Sequence, residues 1–313
     1  MNTHRLDKID RKLLTAIEQD VRIPISALAK KIHVSRTVAE YRLKQFEEKG
    51  IIRGYYAVFD PSRFGFTAWK LWVTIKDKKA FTKSTKNHPR LWWYASCAGV
   101  YDAVLCILCK TPHDFASFLE TLQGISSSAM VMNVSLEYHT RSYLTNTEPI
   151  IETAFQEQPH TEKIPANTHH ILKLLSENAR MSYTELANRT GKNVKTIRSA
   201  LKSLKESGII VSYRPSINAT KFGYEFYKVL VYTDSDTKKI IQWTRLQKHI
   251  VAVISCVGPW QLELEVEIDS YRALCELLGE LKEHFPAIRR YESLLITDEI
   301  NVQSIDTLLQ QTI

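Results

Sequence analysis

Residues 43–56 read LKQFEEKGIIRGYY, and residues 201–214 read LKSLKESGIIVSYR. The two lines lie 158 positions apart and keep Leu-Lys, Gly-Ile-Ile and one tyrosine in register. In each, a leucine and an apolar residue one helical turn later mark a buried stripe, a glycine stops the helix, and two isoleucines open an extended run. The same helix-to-strand junction is written twice.

The offset holds well beyond that junction. Leu14 matches Leu172, Arg22 matches Arg180, Leu28-Ala29 matches Leu186-Ala187, and Phe64-Gly65 matches Phe222-Gly223. After a shift of one residue, Ser96-Cys97 and Gly99 meet Ser255-Cys256 and Gly258. A period this long means a duplicated domain pair, since solenoid units run about 20–50 residues. Upstream of the junction, Leu13, Leu14 and Ile17, then Leu28, Ala29 and Ile32, then Ala39, Leu43 and Phe46 recur at helical spacing. Ser26 and Ser35 are start signals for the second and third helices, and Gly50 ends the third. With the tight His33-Val34 turn between them, these helices describe a helix-turn-helix. Downstream, strand-like runs and helical stretches alternate in the order β-α-β-β-α-β, the ferredoxin-like unit.

The fold class is therefore α+β: two copies of a winged-type helix-turn-helix followed by a ferredoxin-like βαββαβ domain. The boundaries fall at 1–65 and 66–140 for the first copy and 166–223 and 224–313 for the second. Residues 141–165, with Pro149, Pro159 and Pro165 among polar residues, read as a linker holding one helical turn over 150–155.

Of the 313 residues, 44% are hydrophobic and 24% charged, which suits a globular protein. The charged amino terminus lacks the apolar region of a secretory signal, and no apolar run approaches the roughly 20 residues that span a bilayer. A cytoplasmic, nucleoid-associated protein is expected. Cys97, Cys106, Cys109, Cys256 and Cys275 are odd in number and lie mostly in apolar runs, as reduced thiols would. Cys106 and Cys109 fall three apart in a strand, on opposite faces, so no metal site is expected. No nucleophile and base pair or phosphate loop is present, and His169-His170 reads as surface. Hence no catalytic residues, no cofactor and no enzyme are expected.

The net charge of +8 is unevenly placed: residues 1–65 hold +5 and residues 166–223 hold +7, against +1 for 66–165 and −5 for 224–313. Positive charge concentrated on the two helical segments is the footprint of phosphate contacts.

A helix-turn-helix followed directly by a βαββαβ unit resembles the leucine-responsive and asparagine-synthase regulators, the Lrp/AsnC family. In the first copy the carrying residues are Leu6-Asp7, Asp10, Leu28-Ala29, Ser35, Arg42, Gly50-Ile51-Ile52, Asp60-Pro61 with Gly65, and Gly99-x-Tyr101-Asp102. In the second they are Leu186-Ala187, Asn193, Gly208-Ile209-Ile210, Phe222-Gly223 and Gly258-x-Trp260. The resemblance implies a transcription regulator that binds double-stranded DNA. It also implies a homodimer or higher homo-oligomer through the βαββαβ domains and, in many members, an amino acid or other small effector sensed at a subunit interface.

On the first recognition helix, Ser35 is the cap and Arg36, Thr37 and Val38 are candidates for base edges, with Tyr41 beside them. Arg42 and Lys44 are candidates for phosphate. On the second, the candidates are Lys192, Asn193, Lys195, Thr196, Arg198 and Lys202. Ala200 stands at the position of Arg42, which takes one candidate phosphate ligand from the second head. For an effector, the resemblance points to Gly99, Tyr101 and Asp102 and to Gly258 and Trp260, with Asp102 accepting an ammonium group; a turn role for Asp102 stands beside it.

In the second copy one strand reads Leu262-Glu263-Leu264-Glu265-Val266-Glu267-Ile268, where the first has Val104, Cys106 and Leu108 in place of the glutamates. Three carboxylates cannot be buried together without partners, so that face is wet, meets cations of another chain, or lines a polar cavity. Two rival readings stay open. The architecture also resembles the paired siroheme decarboxylases, whose strand 2 to strand 3 region carries Arg and His for tetrapyrrole carboxylates; here Trp93–Cys97 and Val253–Cys256 hold neither. The other is a nucleoid protein with little sequence preference.

Overall fold

In the computed structural model, residues 5–86, 88–154, 161–162, 164–301 and 305–310 are described. The chain forms two compact units, and each draws on both copies. Met1–Asp60, His139–Glu152 and Glu162–Tyr224 make the first, and Pro61–Tyr138, Thr153–Thr161 and Glu225–Ile313 the second. The units therefore pair like with like, heads with heads and sensor domains with sensor domains.

The first unit holds α1 (Lys8–Gln19), α2 (Ile25–Ile32), α3 (Arg36–Glu48) and β1 (Ile52–Phe59) of the first copy. From the second copy come α7 (Ala166–Glu177), α8 (Tyr183–Thr190), α9 (Val194–Glu206) and β7 (Ile210–Ile217). Asp7 and Asp10 form a reciprocal capping box that starts α1. Ser35 Oγ accepts from the Val38 amide at 3.2 Å and starts α3 as expected. The α2 start differs from the sequence reading: extended backbone at Pro24, with no side-chain cap, begins the helix two residues before Ser26. The turn between α2 and α3 needs a left-handed residue, and His33 supplies it at φ 60°, where the second copy uses Gly191 at φ 68°. Leu13, Leu14, Ile17, Leu28, Ile32, Ala39, Leu43 and Phe46 are all buried, as the helical spacing predicts.

The strands that begin at the repeated junctions pair with one another: β1 runs antiparallel to β7, with Tyr56 opposite Arg214 and Ala57 opposite Tyr213. Arg22 and Arg180, matched in sequence, make a reciprocal exchange. Arg22 donates to the carbonyls of Ala179 and Met181, and Arg180 donates to the carbonyl of Val21 at 2.6 Å. Residues 141–165 are not bare linker. They hold α6 (Ser142–Thr145), Arg141 paired with Glu18 at 3.1 Å, and a strand, β6 (Ile151–Ala154), in place of the expected helical turn. Phe155 lies outside the described residues.

The second unit is built from β2 (Thr67–Ile75), α4 (Lys78–Thr85), β3 (Leu91–Ala98), β4 (Ala103–Cys109), α5 (Pro112–Glu120) and β5 (Ser126–His139). The second copy repeats them as β8 (Glu225–Thr233), α10 (Thr237–Thr244), β9 (Ile250–Val257), β10 (Leu262–Ile268), α11 (Tyr271–His284) and β11 (Ile288–Asn301). Each copy forms an antiparallel sheet, in the orders β5-β2-β4-β3 and β11-β8-β10-β9. The last strand of each is long enough to leave its own sheet: β5 pairs with β2 and then with β9, and β11 pairs with β8 and then with β3. Eight strands thus close into a ring in which each of these strands has a neighbour on both sides. The pairing of sensor domains expected between two subunits is made inside one chain.

The helices pack outside the ring, where Phe81, Phe115 and Phe118 cover Leu71, Leu105 and Ile107, and Leu274, Leu278 and Leu281 cover Val229, Leu264 and Val266. Inside it, Trp72, Val104, Val131, Leu230, Ile254, Trp260 and Leu294 meet across the two copies. Cys106 and Cys109 are both buried, Cys109 on the helix-covered side, and all five thiols are free. Among the described residues no group of His, Cys, Asp and Glu is placed to hold a metal, and no helix is long and apolar enough to cross a membrane.

Candidate nucleic-acid interface

The spacing that buries Ala39, Leu43 and Phe46 turns the rest of α3 outward. Ser35, Arg36, Thr37, Val38, Tyr41 and Lys44 are exposed, with Val38 at 38% and Tyr41 at 64%. An apolar valine and a tyrosine left in water on the first turns of such a helix suit contact with base edges. On α9, Ile197, Leu201 and Leu204 are buried, while Lys195, Thr196, Arg198 and Lys202 are exposed. Asn193 caps this helix by accepting from the Thr196 amide at 2.8 Å, and Lys192 is half-buried in the turn before it.

The two helices differ in charge. Within α3, RTVAEYRLKQFEE, three basic residues meet three acidic ones; within α9, VKTIRSALKSLKE, four meet one. The ion pairs Lys44–Glu48 at 3.5 Å and Lys202–Glu206 at 3.7 Å are well exposed. Such pairs contribute about 0.5 kcal/mol or less, so these lysines can turn to phosphate at little cost. Arg198 stacks its guanidinium 4.7 Å from the Tyr183 ring and stays exposed.

Arg42 does not face outward as a phosphate ligand. Its Nη1 donates to Asp7 Oδ2 at 2.6 Å and to Asp10 Oδ1 at 2.8 Å, tying α3 to the capping box of α1. The Asp10 amide, helped by Arg42, holds the Asp7 carboxyl below its ordinary range, and Asp7 in turn holds Arg42 above its own. Arg42 is a latch between two helices. At the matching places the second copy has Pro165, Thr168 and Ala200, which cannot form it. A cavity of about 540 Å³ opens there instead, lined by Pro165, Thr168, Lys195, Ser199, Ala200 and Leu204 among others. The loss of arginine at Ala200 therefore removes a structural clamp and leaves the exposed basic charge of α9 intact.

The residues drawn as an effector site lie in the second unit, and each makes contacts within the fold. Asp102 Oδ2 accepts from the Ile75 amide at 2.7 Å, and Gln261 Oε1 accepts from the Thr233 amide at 2.9 Å, the same bond in each copy. Asp102 is exposed, and the turn reading accounts for this oxygen. Gly99 and Gly258 allow close approach of the other copy's long strand. A Cβ at Gly99 would stand 3.3 Å from the Leu294 side chain, and one at Gly258 would stand 2.6 Å from Val131 Cγ1. Trp260 is fully buried, edge-on to Trp72 at 6.2 Å and to Tyr232 at 5.8 Å, so it fills the core and lines no open site. Tyr101 is half-buried, 5.9 Å from Trp72.

Two of the three glutamates find cations of the same chain. Glu263 pairs with Lys70 at 2.5 Å and Glu265 pairs with Lys228, all four largely out of water. Glu267, at the strand end, is buried as well. The sequence reading missed Lys70 and Lys228, each a lone lysine in an apolar strand at the same place in both copies. It also missed the reach of Arg22 and Arg180, although their match was visible.

A model of winged helix-turn-helix DNA-binding domains matches residues 6–53 and again 166–211. The DNA-binding transcriptional activator DecR of Escherichia coli is 34% identical over 106 residues, 32% of this chain and 70% of that protein. The HTH-type transcriptional regulator AldR of Mycolicibacterium smegmatis is 29% identical over 143 residues, 44% of this chain and 84% of that one. Among solved structures, the siroheme decarboxylase NirDL superposes with a TM-score of 0.62 at 11% identity, over 98% of this chain and 97% of that one. At that identity the likeness is one of fold, including the arrangement of two head and two sensor copies in a single chain.

Proposed function

The chain belongs to the Lrp/AsnC family of helix-turn-helix proteins, and from that premise we propose that it is a sequence-specific DNA-binding transcription regulator with two unequal reading heads on one polypeptide. The observation that carries this reading is α9, which keeps Lys195, Arg198 and Lys202 exposed on one side while its other side is buried. Arg36, Thr37 and Val38 of α3 and Lys195 and Thr196 of α9 are the residues for base edges. Lys44, Lys192, Arg198 and Lys202 are those for phosphate, which fixes register without specifying sequence. A small effector such as an amino acid belongs to the same reading, with the exposed Asp102 and the Gly99 turn as the place to look for it. Binding-site selection with the intact protein tests the proposal. One enriched motif, lost when Lys195, Arg198 and Lys202 are replaced by alanine, supports it; binding with no preferred site points to a nucleoid protein, and binding untouched by replacements on either helix refutes the assignment.

The likeness in fold along nearly the whole chain favours a second reading, a tetrapyrrole enzyme similar to siroheme decarboxylase. Against it, β3 and β9 contribute neither Arg nor His, and Trp72 and Trp260 fill the interior of the ring. Visible absorption of the purified protein, with or without added siroheme, separates the two readings. A Soret band together with decarboxylated product would establish the enzyme.

A further inference from the structure

The two sheets of the second unit carry different charge on their inner faces. Lys70 on β2 and Lys228 on β8 hold the same place in the two copies, and both are buried, at 5% and 1% exposure. Lys228 is neutralised within its own copy, because its cross-strand neighbour on β10 is Glu265 and its Nζ donates to that carboxylate. The corresponding neighbour of Lys70, on β4, is Cys106. Burial pushes that thiol up to about 11, so it stays neutral and gives Lys70 no counter-charge. The first inner face thus carries one ammonium without an anion of its own.

The second inner face carries the complement. Glu263, wholly buried, stands where the first copy has Val104. Its Oε2 takes Lys70 at 2.5 Å, and its Oε1 accepts from Trp72 Nε1 at 3.0 Å and from Trp260 Nε1 at 3.1 Å. Two of these three donors come from the first copy, and the counterpart of Trp72 in the second is Leu230. Lys228 in turn lies 4.6 Å from the centre of the Trp93 ring, again a first-copy residue.

We propose that Lys70 and Trp72 on one side and Glu263 on the other form a recognition code that makes sensor-domain pairing strictly unlike with unlike. The inner face of the first βαββαβ domain fits that of the second, whether from the same chain or exchanged from another, and rejects a second copy of itself. Two first copies face to face would bury two ammonium groups with no carboxylate. Two second copies would bury two Glu263 carboxylates, each stripped of Lys70 and Trp72 and left with the Trp260 donor alone. A buried charge left without its partner is among the costliest defects a core can hold, whereas the matched pair balances. The carbonyl bonds of the head exchange do not by themselves impose this choice, since Arg22 and Arg180 are the same residue in both copies and bond backbone.

The test uses the full chain with a protease site placed at residues 155–160, folded first and then cut, so that each half keeps its head and its sensor domain. Cut proteins bearing two different tags are mixed, and complexes are read by native mass spectrometry. First halves are expected only with second halves, exchanging between tags. In competition, a first half carrying K70E is expected to choose a second half carrying E263K over the unaltered one by about a hundredfold, the scale on which breaking a buried pair acts. Should the K70E half fail to fold, the full chain carrying K70M and E263Q, cut in the same way, has no charge on the pair and is expected to form like-with-like complexes. Like pairs from the unaltered protein as abundant as unlike pairs would overturn the proposal. So would a K70E half indifferent to E263K, or a K70M/E263Q chain still confined to unlike pairs.

Discussion

The two heads share a scaffold and differ in what one arginine does. In the first, Arg42 spends its guanidinium on Asp7 and Asp10, and the basic residues of α3 that stay exposed are Arg36 and Lys44, beside Glu40. In the second, the arginine and both aspartates are gone, a cavity stands in their place, and α9 faces solvent with Lys195, Arg198 and Lys202. A residue that reads as a phosphate ligand by composition proves to be a clamp, and its absence marks a less braced head with the stronger field. Basic residues have to be counted after their internal partners are subtracted.

The largest effect expected from this difference is on DNA. Replacing Lys195, Arg198 and Lys202 together by alanine should weaken binding about 100- to 1,000-fold near physiological salt and lower the slope of log affinity against log salt by about 2 to 3. Replacing Arg36 and Lys44 together should cost about tenfold and change which site is selected. Salt titrations by fluorescence anisotropy would measure both slopes, and equal losses from the two helices would erase the asymmetry.

The same inequality between copies reappears in the sensor domains, in packing. Gly99 and Gly258 hold φ of 149° and 158°, where an L side chain is strained, so alanine costs stability at both. At Gly99 the new methyl meets a leucine side chain at 3.3 Å, which can shift; at Gly258 it meets the Met130 carbonyl oxygen at 2.9 Å, which cannot without moving β5. Gly258→Ala should therefore cost about 3 kcal/mol and Gly99→Ala about 1 to 2. Chemical denaturation would rank them, and the reverse order would mean that the two seams do not pack as described.

How much of this was legible in the sequence follows from which forces are local. Helical stripes such as Ala39, Leu43 and Phe46, the caps Ser35 and Asn193, and the strand alternation at Leu262–Ile268 are set by neighbours in the chain, so the fold class could be read directly. The start of α2 escaped because Pro24 opens that helix by backbone geometry alone, with no capping side chain to announce it. The partners of Glu263 and of Arg42 lie 193 and 32 to 35 positions away, and pairing at such distance is decided by closure of the ring and by the packing of α1 on α3. The repeat held a usable hint in both cases. Where Arg42 became Ala200, Asp7 and Asp10 changed with it, and where Val104 became Glu263, both copies kept a buried lysine.

Arg42→Ala sharpens the comparison at smaller scale. Removing a partly exposed arginine that bridges two carboxylates should cost the first head about 1 kcal/mol, and should leave DNA affinity within about threefold once folded protein is compared. Acid should act the same way. Asp7 titrates below the ordinary aspartate value of 3.8, so its contribution is present above that value and is lost as pH falls through the lowered one. Amide exchange in α1 and α3 should accelerate in that acid window, while Asp7 and Asp10 have no carboxylate counterparts in the second head to lose. Equal acceleration in both heads would show that the latch carries no stability.

The mildest intervention runs in the other direction and rebuilds the latch where it is missing. Pro165 stands at the amino-terminal cap of α7 without a side-chain bond, so Pro165→Asp alone should add a cap worth about 0.5 to 1 kcal/mol. Adding Thr168→Asp and Ala200→Arg should fill part of the cavity and contribute only a further few tenths, because Thr168 is buried and already bonds the Pro165 carbonyl at 2.7 Å, so the cost of burying a carboxylate there offsets most of the new pair. The graft also sets two carboxylates beside Lys195, so DNA binding should weaken slightly, by about two- to threefold, as the head becomes more stable. Opposite movement of the two quantities in one variant would identify the open, unlatched form as the one adapted to DNA; a gain in both would mean that the cavity only loosened the head.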